Sequence, residues 1–313
     1  MNGKLISNRL SHWKPKLTAV LLFIFFQLLA TPSFSADGHS HPPTSTREEA
    51  IAYIDTLHFP EPSDYWPNIK PEGFMNNIKL NVNDRFSMYP GIGTYFCGYG
   101  AFSYLLLQDD PLGYVKFMTE LYRNGKARLG TQLIVPSTII RKTAGTLKYK
   151  GLLDIRPAEQ MLYLSLADHF KGYLNIFNRR YDAGDENRFW ASVNYAKFNR
   201  MLRKTLHYKV QARGSDLKQP AVGNVYDYIS AEMKKGIVAL YLNNRILHKK
   251  KHERIKLGLP THYVILENIS RTEDHITLVF WDYGGKTLLQ VKPAFLHKII
   301  FGITVCIKND NIE

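Results

Sequence analysis

The sequence has little cysteine: its 313 residues contain two, Cys97 and Cys306. Two thiols do not make a disulfide framework, and a chain of this length buries enough surface to fold without one. Familiar metal patterns are missing as well. No HExxH occurs, and His248, His252 and His262 match no known zinc spacing, while His169, His207, His275 and His297 stand alone. No glycine loop of the kind that cradles phosphate is present, and the aromatic residues of 187–206 recur at a helical interval that suits core packing better than a cofactor box. Neither metal nor cofactor is therefore expected. No repeat or low-complexity tract is present either. Acids are the scarcer charge, 27 against 41 bases, for a net charge of +14.

A long membrane-spanning run is also lacking. The uncharged stretch LTAVLLFIFFQLLA (17–30) has 14 residues, short of the roughly 20 that cross a bilayer. Lys4, Arg9, Lys14 and Lys16 precede it, and TPSFSADG with its small Ser33 and Ser35 follows. That order predicts a secretory signal, residues 1–35, cleaved after Ser35, and a periplasmic or secreted protein with no stable membrane span after cleavage. The alternative is an uncleaved N-terminal anchor. Cleavage after Ala36 would instead give the terminus Asp37-Gly38-His39, able to bind copper or nickel, but it puts Phe34 where a small residue is preferred.

Losing residues 1–35 removes four positive charges and no acid, so +14 becomes +10. A chain this basic favours anionic surroundings: cell-wall polymers, lipid headgroups or an acidic substrate. LHKKKHERIK (247–256) concentrates the charge just ahead of a candidate strand; a solvated loop is its plain reading. Nucleic acid is not an expected partner, because the aromatics lie in core patterns and no reader motif occurs.

Residues 36–85 read as a flexible N-terminus, with a short helical period over 47–57, and an irregular lead-in rich in Pro, Asn and Gly that runs on to 93. Helices are predicted at 111–124, where Asp110 and Pro111 form the start and Gly125 the stop, and at 157–170, 187–206 and 225–235. Then the period changes. Short branched and aromatic runs at 236–244, 261–268, 275–283, 286–292 and 301–308 read as strands. Helices first and strands afterwards predict an α+β domain with an antiparallel sheet over 86–313.

TYFCGYGAFSYLLLQ (94–108) places Cys97 at the start of an apolar helix. A thiolate there is favoured by unpaired N–H groups and the helix dipole, and Gly98 and Gly100 are expected to leave room for a substrate carbonyl. Cys306, in FGITVCIK, reads as a small buried hydrophobe; a Cys97–Cys306 pair stays open. In THYVILENISRTEDHITLVFWDYGG, a turn centred on Thr272 pairs residues whose numbers sum to 544. That register sets His262 opposite Asp282, Val264 opposite Phe280 and Leu266 opposite Leu278, on one face. A thiol, a base that takes and returns its proton and a group that orients the base are the parts nucleophilic catalysis needs.

With Cys-Gly at a helix start, His-Tyr-Val-Ile-Leu on a strand and an aspartate before Gly284-Gly285, in that chain order, the sequence resembles the papain-like cysteine peptidases. Within them it looks most like the bacterial double-glycine, bacteriocin-leader type. The resemblance covers about 90–108 and 236–308. It implies a helical half carrying the cysteine helix against a sheet half, Cys97 as nucleophile, His262 as general acid and base, and Asp282 as its orienter. It implies amide or thioester bonds as targets and makes 111–235 a helical elaboration, while the basic charge points to a peptide or cell-wall peptide as substrate. The family commonly places a glutamine six residues before the cysteine to hold the oxyanion; here that position is Gly91, and Asn81, Asn83 or the backbone around Cys97 and Gly98 are the substitutes considered. The expected function is a thiol peptidase or amidase. The alternatives are an acyltransferase or transglutaminase-like enzyme on the same triad, or a non-catalytic binding or effector module.

Overall fold

The computed structural model describes residues 43–59, 61–148, 155–170, 180–206, 208–243 and 260–308. The signal segment, the possible metal-binding terminus at 37–39, His207 and the basic loop 247–256 with His248 and His252 lie outside the described residues.

The sequence order of elements becomes a helical half followed by a sheet. Helices α1 (Arg47–Thr56), α2 (Pro71–Asn83), α3 (Cys97–Asp109), α4 (Pro111–Asn124), α5 (Thr138–Thr143), α6 (Pro157–Phe170) and α7 (Tyr195–Thr205) precede α8 (Val225–Glu232) and α9 (Pro293–Ile299). A small hairpin, β1 (Ala127–Leu129) and β2 (Gln132–Ile134), follows α4. The main sheet comprises β3 (Lys209–Gly214), β4 (Ile237–Leu242), β5 (His262–Arg271), β6 (Ile276–Asp282), β7 (Gly285–Val291) and β8 (Ile300–Ile307), in the order β3-β8-β4-β5-β6-β7 with every neighbour antiparallel. The fold is α+β.

Alternation along the central strands gives the sheet two buried faces. Ala239, Tyr241, Tyr263, Ile265 and Trp281 merge with the helical core, whereas Val238, Leu240, Leu242, Val264, Leu266, Leu278 and Phe280 pack with Val225 and Ile229 of α8 and Leu296 and Ile299 of α9. Helices thus lie on both faces, not on one. The middle of the molecule is α3, in which every residue but Gln108 is buried. A helix apolar all round belongs inside a core, and α3 packs against β5.

Three expectations need correction. The lead-in assigned to 36–85 is part of the fold: α1 starts with a Thr46–Glu49 capping box, and α2 opens on Pro71 and buries Phe74, Ile78 and Val82 at helical spacing. Phe74 stacks on Tyr122 of α4 with ring centres 4.3 Å apart. The helix predicted over 187–206 begins only at Tyr195, where the Asn194 side chain accepts the Lys197 N–H. The residues before it are held out of a helix by tertiary bonds, Tyr95 N–H to the Glu186 carbonyl and the Tyr263 hydroxyl to the Val193 carbonyl.

The third concerns the β5–β6 register. Ile269, Ser270 and Arg271 pair with Leu278, Thr277 and Ile276, closing a turn from Thr272 to His275, so the numbers sum to 547. An odd sum would send His262 and Asp282 to opposite faces. A β-bulge between Leu266 and Asn268 removes one residue, and past it Leu266 pairs with Phe280 and Ile265 with Trp281, at a sum of 546. His262 and Asp282 are therefore diagonal neighbours, not directly opposed. The bulged residue is pinned from the helical side: Glu267 accepts the Tyr104 hydroxyl of α3 at 2.6 Å, Arg85 donates to the same hydroxyl at 3.2 Å, and the Tyr104 ring stacks on Trp281. Tyr104→Phe is expected to lower stability by about 1.5 kcal/mol, the scale of a hydrogen bond to a charged acceptor, read as a shift of the urea midpoint.

Candidate active site

Three elements meet at one end of the sheet. Cys97 is the first residue of α3, His262 the first of β5 and Asp282 the last of β6. The approach of α3 to β5 depends on glycine: a Cβ on Gly98 would stand 2.3 Å from Val193 Cγ1 and 3.2 Å from the Tyr263 ring, and one on Gly100 would stand 3.0 Å from both Pro90 and Trp281. The space these glycines leave is filled by the protein itself, which corrects the expectation that it admits a substrate. Gly98→Ala is expected to cost about 1–3 kcal/mol by overpacking, measured by chemical denaturation.

The Cys97 thiol lies 3.6 Å from the Thr261 carbonyl, to which it donates. The next residue, His262, is 1% exposed, and its Nε2 meets Asp282 Oδ1 at 2.5 Å. Burial by itself disfavours the imidazolium, but the Asp282 charge and hydrogen bond, with further contributions from Cys97, outweigh it and push His262 from 6.5 up to about 10. The ring is therefore cationic at neutral pH. Its other nitrogen, Nδ1, is buried and makes no hydrogen bond within ordinary geometric limits. After Asp282, Cys97 is the second group that raises the proton affinity of the ring.

A fourth side chain completes the clamp on the histidine. The Tyr283 ring stacks on His262 with centres 4.5 Å apart and planes 20° from parallel. Tyr283 and Gly284 form the two-residue turn between β6 and β7, with φ of +44° and +84°, the signs a type I′ hairpin requires. A tyrosine in this region is strained by about 1–3 kcal/mol. Gly284 faces Tyr89 and the Met88 carbonyl, so the turn also abuts the loop that leads into α3. Asp-Tyr-Gly-Gly thus reads both as a turn and as part of the site; the stacking had no signal in the sequence.

Gly91 has φ +86°, and a Cβ there would stand 2.8 Å from Ile155 and 3.0 Å from Thr94. No glutamine fits that position. Asn81 does not replace it: fully buried, its amide donates to the Tyr114 hydroxyl at 3.0 Å and accepts from Arg156 at 2.8 Å and Ser87 at 3.2 Å. Asn83 is exposed at the end of α2. Neither is joined to Cys97 by a hydrogen bond. What remains at the sulfur is the first turn of α3, whose leading N–H groups have no intrahelical acceptor.

Cys306 is a separate matter. It lies on β8 opposite Val210 and Ile237, six residues along the strand from Ile300, which pairs with Leu242 and through it with the His262 end of the sheet. Six residues of strand span roughly 20 Å, far beyond disulfide reach, and both thiols are free. Burial pushes the Cys306 thiol up to about 12. Among the described residues no group of three metal-ligating side chains occurs and no helix is long and apolar enough to cross a membrane. Comparison with known proteins finds no family model, curated protein or solved structure that matches the chain.

Proposed function

We propose that this protein is a thiol hydrolase, a cysteine peptidase or amidase, working through Cys97, His262 and Asp282. One observation carries the reading: a buried imidazole held by a carboxylate at 2.5 Å, with its second nitrogen left unbonded beside a cysteine at a helix start. The chain order of the three residues and the packing of the cysteine helix on the histidine strand support a papain-like relationship.

In this mechanism the Cys97 thiolate attacks the amide carbonyl and the charge that develops on oxygen falls at the first turn of α3. The His262 imidazolium gives its proton to the departing amine as the C–N bond breaks, leaving a thioester on Cys97. Water then attacks the thioester, His262 takes its proton, the C–S bond breaks and the carboxylic acid leaves. Asp282 and Tyr283 hold the ring in place throughout. Acyl transfer shares the first half of this cycle and differs only in the acceptor. The basic, then apolar N-terminus supports export, and the positive net charge supports a peptide of the cell wall or its surroundings as the substrate.

Mapping the site of alkylation by iodoacetamide tests the reading. Fast modification of Cys97 near neutral pH, with Cys306 untouched in the folded protein, is the expected result; an inert Cys97 would overturn it.

A further inference from the structure

The strand that begins with the histidine ends at a cavity. β5 runs from His262 to Arg271, ten residues, which is roughly 30 Å of extended chain. At the Arg271 end a cavity of about 350 Å³ is lined from β5, β6, α8 and α9. Val225, Ile276 and Leu296, all buried, supply its apolar lining. Arg271 of β5 and His297 of α9 are its basic side chains, and no carboxylate lines it.

Both bases are available to a ligand. Arg271 is exposed, and its guanidinium lies 5.8 Å from the centre of the Tyr226 ring. Among the described residues it has no carboxylate partner, and neither has His297. Asp227, Glu273 and Asp274 are near in the chain, yet none lines the cavity or pairs with either base. The start of α8 does not supply the attraction, because the Asn224 side chain already accepts the Tyr226 and Asp227 N–H groups at 3.0 and 3.3 Å. Two basic groups from different elements, beside an apolar lining and without a counter-charge, suit a ligand that is anionic at one end.

We propose that this cavity binds a small phosphate monoester, free or as a lipid headgroup, through Arg271 and His297, with the organic portion against Val225, Ile276 and Leu296. A guanidinium fork occupies both oxygens of a carboxylate but leaves a phosphate a further terminal oxygen for the imidazole. The phosphate's charge of about −1.5 to −2 at neutral pH also matches two bases better than one. A volume of about 350 Å³ lies at the small end of the range for ligand sites. Binding here is independent of the chemistry at Cys97.

Isothermal titration calorimetry of the full-length protein with phenyl phosphate and with benzoate tests this, alongside flotation with phosphatidylcholine vesicles that contain either phosphatidic acid or phosphatidylglycerol. Phenyl phosphate is expected to bind more tightly than benzoate, and Arg271→Gln to weaken it about tenfold or more, the scale of a lost charge-assisted hydrogen bond. His297→Gln, on a separate element, should weaken it severalfold, so the test holds even if one substitution disturbs folding. If phenyl phosphate does not bind but phosphatidic acid vesicles are retained over phosphatidylglycerol ones, and both substitutions reduce that retention, the ligand is the lipid headgroup. Binding of neither probe, equal binding of phenyl phosphate and benzoate, or binding that both substitutions leave unchanged overturns the site.

Discussion

His262→Ala is expected to slow alkylation of Cys97 by about 100-fold and turnover of any amide substrate by up to about 10⁴-fold, the range general acid–base groups contribute. In the wild-type protein the ring is held cationic at neutral pH by Asp282 despite complete burial, which keeps a positive charge and a transferable proton beside the sulfur. Alanine removes both. Cys306 provides the internal control, because its thiol is 1% exposed and burial pushes it up to about 12; its slow reaction should be the same in both proteins. Equal Cys97 rates in wild type and His262→Ala would mean that the imidazole does not act on the sulfur.

Asp282→Ala has the second large effect, and it is one of stability that depends on pH. The folded protein holds a proton on His262 up to about 10, against 6.5 for an unconstrained histidine. A folded value above the unfolded one stabilises the native state fully below about pH 6.5, and this contribution is lost as pH rises toward 10. Without the carboxylate the buried imidazolium has no counter-charge, and breaking such a pair costs about 3–5 kcal/mol. The difference in unfolding free energy between wild type and Asp282→Ala should therefore be largest near pH 6 and shrink steadily by pH 10. Urea titrations at four or five pH values measure it; a difference independent of pH would show that Asp282 acts only through packing. In the same variant the His262-dependent part of Cys97 reactivity should fall as well, because the ring loses its proton at lower pH.

The candidate residues were legible in the sequence because their chemistry is local. Cys97 stands before Gly98 at the head of an apolar run, and His262 and Asp282 terminate strands whose alternation is plain. The geometry joining them was not legible. A turn centred on Thr272 and a direct pairing were expected; the real turn lies later, and only the bulge at Glu267 returns the histidine and the aspartate to the same parity. That bulge is fixed by Tyr104, 163 residues away in the chain, and no pattern within the hairpin encodes such a contact. The stretch 185–193 was hidden for a similar reason. The aromatics of 187–206 repeat at a helical interval, but bonds to Tyr95 and Tyr263 compete with helix formation before Tyr195 and win. Asn81 reads as a free amide in the sequence because Arg156 and Tyr114, which occupy it, are remote in the chain. Tyr283 shows the opposite limit: turn chemistry announced the hairpin, yet only the structure places the ring against the histidine.

The most direct measurement is intact-mass analysis after brief exposure to an activated ester such as a p-nitrophenyl ester. One acyl group on Cys97 is expected, formed in a burst, discharged by water and absent in Cys97→Ser. No adduct, or acylation spread without preference between Cys97 and Cys306, would contradict it.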